Sequence, residues 1–273
     1  MEKKRIKLLL SYDGSNYSGW QKQPSSLSIQ EELEKRLTIL LKEPIYVVGS
    51  SRTDAGVHAK GQVAHFDTSS SFTPRALFYS LNCLLPKDIK VLSLEEVENS
   101  FHARYSAKAK IYHYYLEFTP FSSPFSYKYS VPIYQEFSVE LLKQAAKYFE
   151  GTHDFTSFAN DANKGSCKKN PVRTIYHIEI TPTSQGICLI FLGNGFLYKM
   201  IRNIMGVLLL AGKKKLPLEE IPKIFAAKDR RKAPAVAPAK GLFLKKIYYE
   251  PLKSSSERES HLNAESETSF PLI

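Results

Sequence analysis

Apolar and polar positions alternate from Arg5 to Tyr12 (RIKLLLSY), which predicts a first strand. From Ser28 the period changes to that of a helix, with Ile29, Leu33, Leu37, Leu40 and Leu41 on one face. Glu31 stands three residues after Ser28, a capping box, and Pro44 is expected to end the helix. Short strands are predicted at Ile45–Val48 and Gln62–Asp67, a helix from Pro74 through Leu81, and a strand at Ile89–Val97. The order is βαββαβ.

The second half repeats that order more loosely. A strand runs from Lys110 to Phe118, and Ser138 caps a helix reaching Phe149. Strands follow at Thr174–Thr181 and Ile187–Leu192, then an apolar helix at Phe196–Leu210 and a closing strand at Leu242–Tyr249. Two βαββαβ halves predict an α+β fold with helices on antiparallel sheet, the halves joined edge to edge around a cleft. The expected domains are residues 1–107 and 108–252. Residues 253–273, rich in Ser and Glu with few apolar positions, are expected to be a disordered tail.

Composition adds a partner class. The chain has 273 residues, 43% apolar, and a formal charge of +11. Two basic and four acidic side chains give the last 21 residues −2, so the rest carries +13. That excess suits a polyanion. Cys83, Cys167 and Cys188 are far apart and form no Cys-x-x-Cys pair, so neither a disulfide framework nor a zinc site is expected. There is no run of eighteen apolar residues and no signal-like start, which together predict a cytoplasmic protein with no membrane span.

Four segments carry candidate chemistry. Gly49 to Ala59 brings Arg52, Thr53 and Asp54 together on a short loop. Asp and Gly often make only a turn. A carboxylate held ionised by a nearby guanidinium is also a serviceable nucleophile. On the Lys110 strand, Tyr112 and Tyr114 share a face, where rings can stack on bases or simply fill a half-buried sheet. Arg202 lies mid-helix in an apolar run, with Lys199, Asn203 and Gly206 beside it. It needs a partner such as Asp54 unless it reaches solvent. Arg230 to Leu244, basic and broken by prolines, reads equally as a phosphate-tracking segment or a rigid connector.

Seven segments in order resemble the TruA family of tRNA pseudouridine synthases across roughly residues 5 to 250. They are Tyr12-Asp-Gly with Gly19-Trp20, Ser51 to Ala59, Lys110 to Tyr114, Gly151 to Phe158, Pro171 to Ile175, Gly195 to Asn203, and Ala233-Pro to Gly241-Leu. The resemblance implies the pseudouridine synthase fold and isomerisation of uridines 38, 39 and 40 in the anticodon stem-loop by a homodimer. It implies that Asp54 is the catalytic aspartate, that Tyr112 stacks on the target uracil, that Arg52 helps flip the base and hold RNA, and that Arg202 pairs with the catalytic carboxylate. Ser51, Lys110, Ile111, His113 and Ala159 depart from the family's usual residues without removing a catalytic position.

The isomerisation exchanges a C–N bond for a C–C bond with no net gain or loss of atoms, so it requires no cofactor. Two rival readings account for the residues less well. A non-catalytic RNA-binding module gives no reason for Arg52, Asp54 and Arg202 to coexist. A metal-dependent phosphodiesterase needs clustered carboxylates or histidines, which the sequence lacks.

Overall fold

The computed structural model describes residues 3–160 and 170–252. The elements of the first stretch are β1 (Lys4–Tyr12), α1 (Ile29–Leu41), β2 (Val48–Gly49), β3 (His58–Thr68), α2 (Pro74–Leu84) and β4 (Ile89–Val97). The second stretch holds β5 (Ala109–Glu117), β6 (Val131–Pro132), α3 (Val139–Lys147), β7 (Gly151–Asp154), β8 (Val172–Thr183), β9 (Gly186–Gly193), α4 (Met200–Gly212) and α5 (Glu220–Ala227). β10 (Leu242–Tyr248) is the last element among the described residues. The described residues form two compact units, one of the chain up to Lys108 with Phe243–Pro251, the other within Ala109–Leu242. The predicted tail, 253–273, and Cys167 lie outside the described residues.

In the first unit the strands run β4-β1-β3-β10. β1 is antiparallel to both neighbours, whereas β10 lies parallel to β3 with Phe243 opposite His58 and Leu244 opposite Ala59. The strand that sequence order puts last in the second half thus completes the sheet of the first. Ile6, Leu8 and Leu10 of β1 alternate inward, and Ile29, Leu33 and Leu37 of α1 are fully buried. Burying such residues contributes roughly 1.5–3 kcal/mol each. The Ser28 side chain accepts from the Glu31 amide, as the capping box requires.

α1 stops at Leu41, three residues before Pro44, with Lys42 left-handed at φ 56. Pro44 disfavours helical geometry at Glu43. The expected strand at Ile45–Val48 shortens to a ladder at Val48–Gly49 because α1 supplies its partners. The Val47 amide donates to Glu34 and its carbonyl accepts from Gln30.

In the second unit the order is β5-β9-β8-β7, antiparallel throughout, with β6 parallel to β5. The sequence pattern missed β7, four residues long, and α5. Pro222 occupies the first turn of α5, where its missing N–H costs nothing. α4 begins at Met200 rather than Phe196, since Lys199 turns left-handed at φ 59. Arg202 is therefore in the helix's first turn, not its middle. Both units place helices with antiparallel strands, an α+β fold.

Candidate active site

Asp54 sits on the loop between β2 and β3, and the first unit fixes that loop from several sides. The Ser50 amide bonds to Val63 O at 2.8 Å. Gln62, buried on β3, brackets Ser51 by accepting from its N–H and donating to its carbonyl at 2.7 Å. The Thr53 hydroxyl lies 2.9 Å from the Tyr12 hydroxyl, and Thr53 O accepts from the Trp20 amide at 3.0 Å. Val57 N donates to Asp54 O at 3.1 Å, closing a turn whose Gly56 has φ +75. Positive φ at that position is the glycine requirement of a tight turn.

The Tyr12-Asp-Gly and Gly19-Trp20 segments prove to be the cradle of this loop. A Cβ on Gly19 would fall 2.4 Å from Thr53 O, and one on Gly49 2.4 Å from the Trp20 ring. Side chains there would push the loop away. His58, at the start of β3, is buried with its ring stacked on Phe243, 4.6 Å between centroids, and Asp13 Oδ1 lies 3.0 Å from its Nδ1. Asp54 is half-buried on this braced loop, while Arg52 beside it is exposed. A fixed, partly shielded carboxylate is what nucleophilic or general-base chemistry needs.

Tyr112 and Arg202 belong to the second unit. Tyr112 faces Phe191 across the β5–β9 ladder, is 7% exposed, and meets Phe196 edge-on with centroids 5.2 Å apart. That contact exists because Phe196 has left the helix. Tyr114, on the same face, is fully buried and donates to Pro238 O at 2.8 Å. Burial pushes the Tyr114 hydroxyl pKa up, with Arg202 opposing, so it remains a neutral donor.

Arg202 is half-buried, its Nε donating to Ala237 O at 2.8 Å while Ala237 N donates to Arg202 O at 3.0 Å. Next to it Asn203 is fully buried and ties three segments together. It donates to Phe158 O and Asn160 Oδ1 and accepts from Arg230 at 2.8 Å. The basic, proline-broken segment is thus strapped onto α4. Gly206 lets it approach, since a Cβ there would lie 2.3 Å from Ala235 O.

Sequence reasoning missed Gln62, Asn203 and Arg230 as supports. The available signal was a polar residue within an otherwise apolar strand or helix, which must find partners when buried. It also passed over Gly151 to Phe158 as chemistry or packing. There Asp154 caps Thr156, and Phe155 and Phe158 pack with Phe149 and Phe225. Among the described residues no group of three or more His, Cys, Asp or Glu is arranged to hold a metal ion. No helix among them is long and apolar enough to cross a membrane. Cys83 is exposed and Cys188 buried.

An α+β chain of two compact units with a carboxylate on a glycine-cradled loop defines a class of candidate enzymes, and comparison with known proteins narrows it. A family model described as tRNA pseudouridine synthase matches residues 9–106 and 145–250. The chain is 52% identical over 245 residues to tRNA pseudouridine synthase A 1 of Protochlamydia amoebophila, covering 89% of this chain and 96% of that protein. It is 43% identical over 248 residues to tRNA pseudouridine synthase A of Bacillus subtilis, covering 90% and 99%. Against the enzyme of that name in Chlamydia trachomatis the identity is 43% over 251 residues, covering 91% and 93%. This chain belongs to the tRNA pseudouridine synthase family.

Proposed function

We propose that this chain isomerises uridine to pseudouridine at positions 38, 39 and 40 of the tRNA anticodon stem-loop, with Asp54 as the catalytic carboxylate. The observation that carries the reading is the brace around the loop. Gln62, Tyr12, Trp20 and two crowded glycines fix the loop that carries this half-buried aspartate.

In this mechanism the target nucleotide leaves its stack, at a cost of a few kcal/mol, and its uracil rests on Tyr112, worth about 1–3 kcal/mol. Arg52 holds the displaced backbone, and Arg202 supplies the counter-charge that keeps Asp54 ionised. The glycosidic N1–C1′ bond breaks, the base turns, C5 bonds to C1′, and the proton lost from C5 is balanced by one taken up at N1. No redox agent enters that balance. The family resemblance extends the proposal to a homodimer working in the cytoplasm, and the +13 charge outside the last 21 residues fits a tRNA partner.

The test is to compare wild type with Asp54→Ala and Asp54→Asn on a tRNA carrying uridine at the three positions. Product should vanish in both variants while tRNA affinity stays within about tenfold. Pseudouridine formed by either variant overturns the assignment. A wild-type protein that binds tRNA but forms none leaves only the binding-module reading.

A further inference from the structure

The loop from Asn99 to Lys108 in the first unit is held unusually firmly for a surface connection. Arg5 donates to Asn99 O at 2.6 Å and to Phe101 O at 2.8 Å. The Ala103 amide donates to His65, and Ala103 O accepts from Tyr249 at 2.8 Å. His102 and Ser106 bond to each other twice, through His102 N to Ser106 Oγ and Ser106 N to His102 O. The His102 ring then accepts from the amides of Arg104 and Tyr105, at 3.1 and 3.2 Å. Burial, Arg5 and Arg104 lower the His102 pKa, which keeps the ring neutral and able to accept.

What this framework presents is an aromatic ring in water. Tyr105 is 77% exposed. Its ring leans on His102, centroids 4.3 Å apart at 34°, and the Arg104 guanidinium lies 5.9 Å from its centre. Lys108, also exposed, follows three residues on. A rigid ring loses little entropy when a partner covers it. A flat apolar face with cations beside it matches a nucleotide, with the base on the ring and the phosphate on the guanidinium. Only an unpaired base has a free face to offer.

We propose that Tyr105, flanked by Arg104, is a stacking platform for an unpaired base of the tRNA substrate other than the uridine that reacts. The platform rests on the tRNA reading above and adds a recognition element to it. Its effect is on binding rather than on chemistry. Steady-state kinetics on tRNA should show Tyr105→Ala raising KM about tenfold or more with kcat within about twofold, and Tyr105→Phe close to wild type. The thermal midpoint of Tyr105→Ala should stay near that of wild type, because the ring is exposed. An unchanged KM in Tyr105→Ala, or a Phe variant as impaired as the Ala variant, overturns the platform. If wild type forms no pseudouridine, the activity reading fails separately. The platform is then judged on tRNA affinity, and it falls unless Tyr105→Ala weakens binding about tenfold.

Discussion

The Tyr12 hydroxyl and the Thr53 hydroxyl lie 2.9 Å apart in a buried contact, one residue before Asp54. Gln62 Nε2 reaches the same tyrosine oxygen at 3.4 Å while holding Ser51 O. β1 and β3 therefore grip the loop through one phenol and one amide. Tyr12→Phe keeps the ring's packing against Trp20 and removes only the hydroxyl. The expected cost is about 1–2 kcal/mol of stability from the unpaired Thr53 and Gln62 groups. Turnover should fall several-fold as the carboxylate loosens, with KM little changed. Equal turnover in Tyr12→Phe and wild type would show that the contact does not position Asp54.

Gly206 offers a test of the strap over α4. In an open helix, glycine to alanine stabilises by about 1 kcal/mol. Here the new Cβ would sit 2.3 Å from the Ala235 carbonyl oxygen, and backbone must shift to admit it. Gly206→Ala should instead destabilise by about 1–3 kcal/mol, lowering Tm by several degrees. A raised Tm would mean that the segment yields easily.

His65 predicts an acid-sensitive fold. Burial is the main cause that lowers its pKa to about 4, with Arg5 and His102 adding to it and Asp67 opposing. The unfolded chain takes up this proton near pH 6.5, the folded chain only near 4. Between those values the unfolded state holds more protons, so stability rises with pH there. It is complete above about 6.5 and lost as pH falls through the window, by about 3 kcal/mol from this group. His65→Asn keeps an acceptor for the Ala103 amide and removes the titration. Denaturant unfolding of the two proteins from pH 4 to 7 should show the slope flattened in the variant. The same slope in both would assign the sensitivity elsewhere.

How much of this was legible in the sequence depends on the range of the forces involved. α1, α2 and β4 could be read from local period and caps, because Ser28, Pro74 and the spaced leucines act on their own neighbours. The place of β10 beside β3 could not, since parallel pairing of His58 with Phe243 leaves no local trace. The start of α4 was misread because Phe196, Leu197 and Tyr198 keep an apolar pattern through a left-handed turn at Lys199. At the candidate site Asp54, Arg52, Tyr112 and Arg202 are expectations drawn from residue type and family resemblance, whereas the residues packed around them drew no such reading. Gln62 and Asn203 are unremarkable letters until burial forces them to bond.

Arg202 carries the sharpest of the catalytic tests. Its Nε is committed to Ala237 O, and its carbonyl accepts from Ala237 N, so the first turn of α4 and the proline-broken segment jointly set the direction of the guanidinium. Arg202→Met removes the charge but keeps an apolar chain of similar length. If the guanidinium holds Asp54 ionised and aimed, kcat should fall about a hundredfold or more, with tRNA affinity nearly unchanged. Arg202→Lys restores a cation but lacks the planar fork that bonds Ala237 and a carboxylate together, so it should recover only part of that loss. The pH profile separates a catalytic from a merely structural role. If Arg202 is that counter-charge, the acid limb of kcat should move to higher pH in Arg202→Met. A variant with normal kcat and an unmoved acid limb would show that Arg202 serves the strap over α4 and not the aspartate.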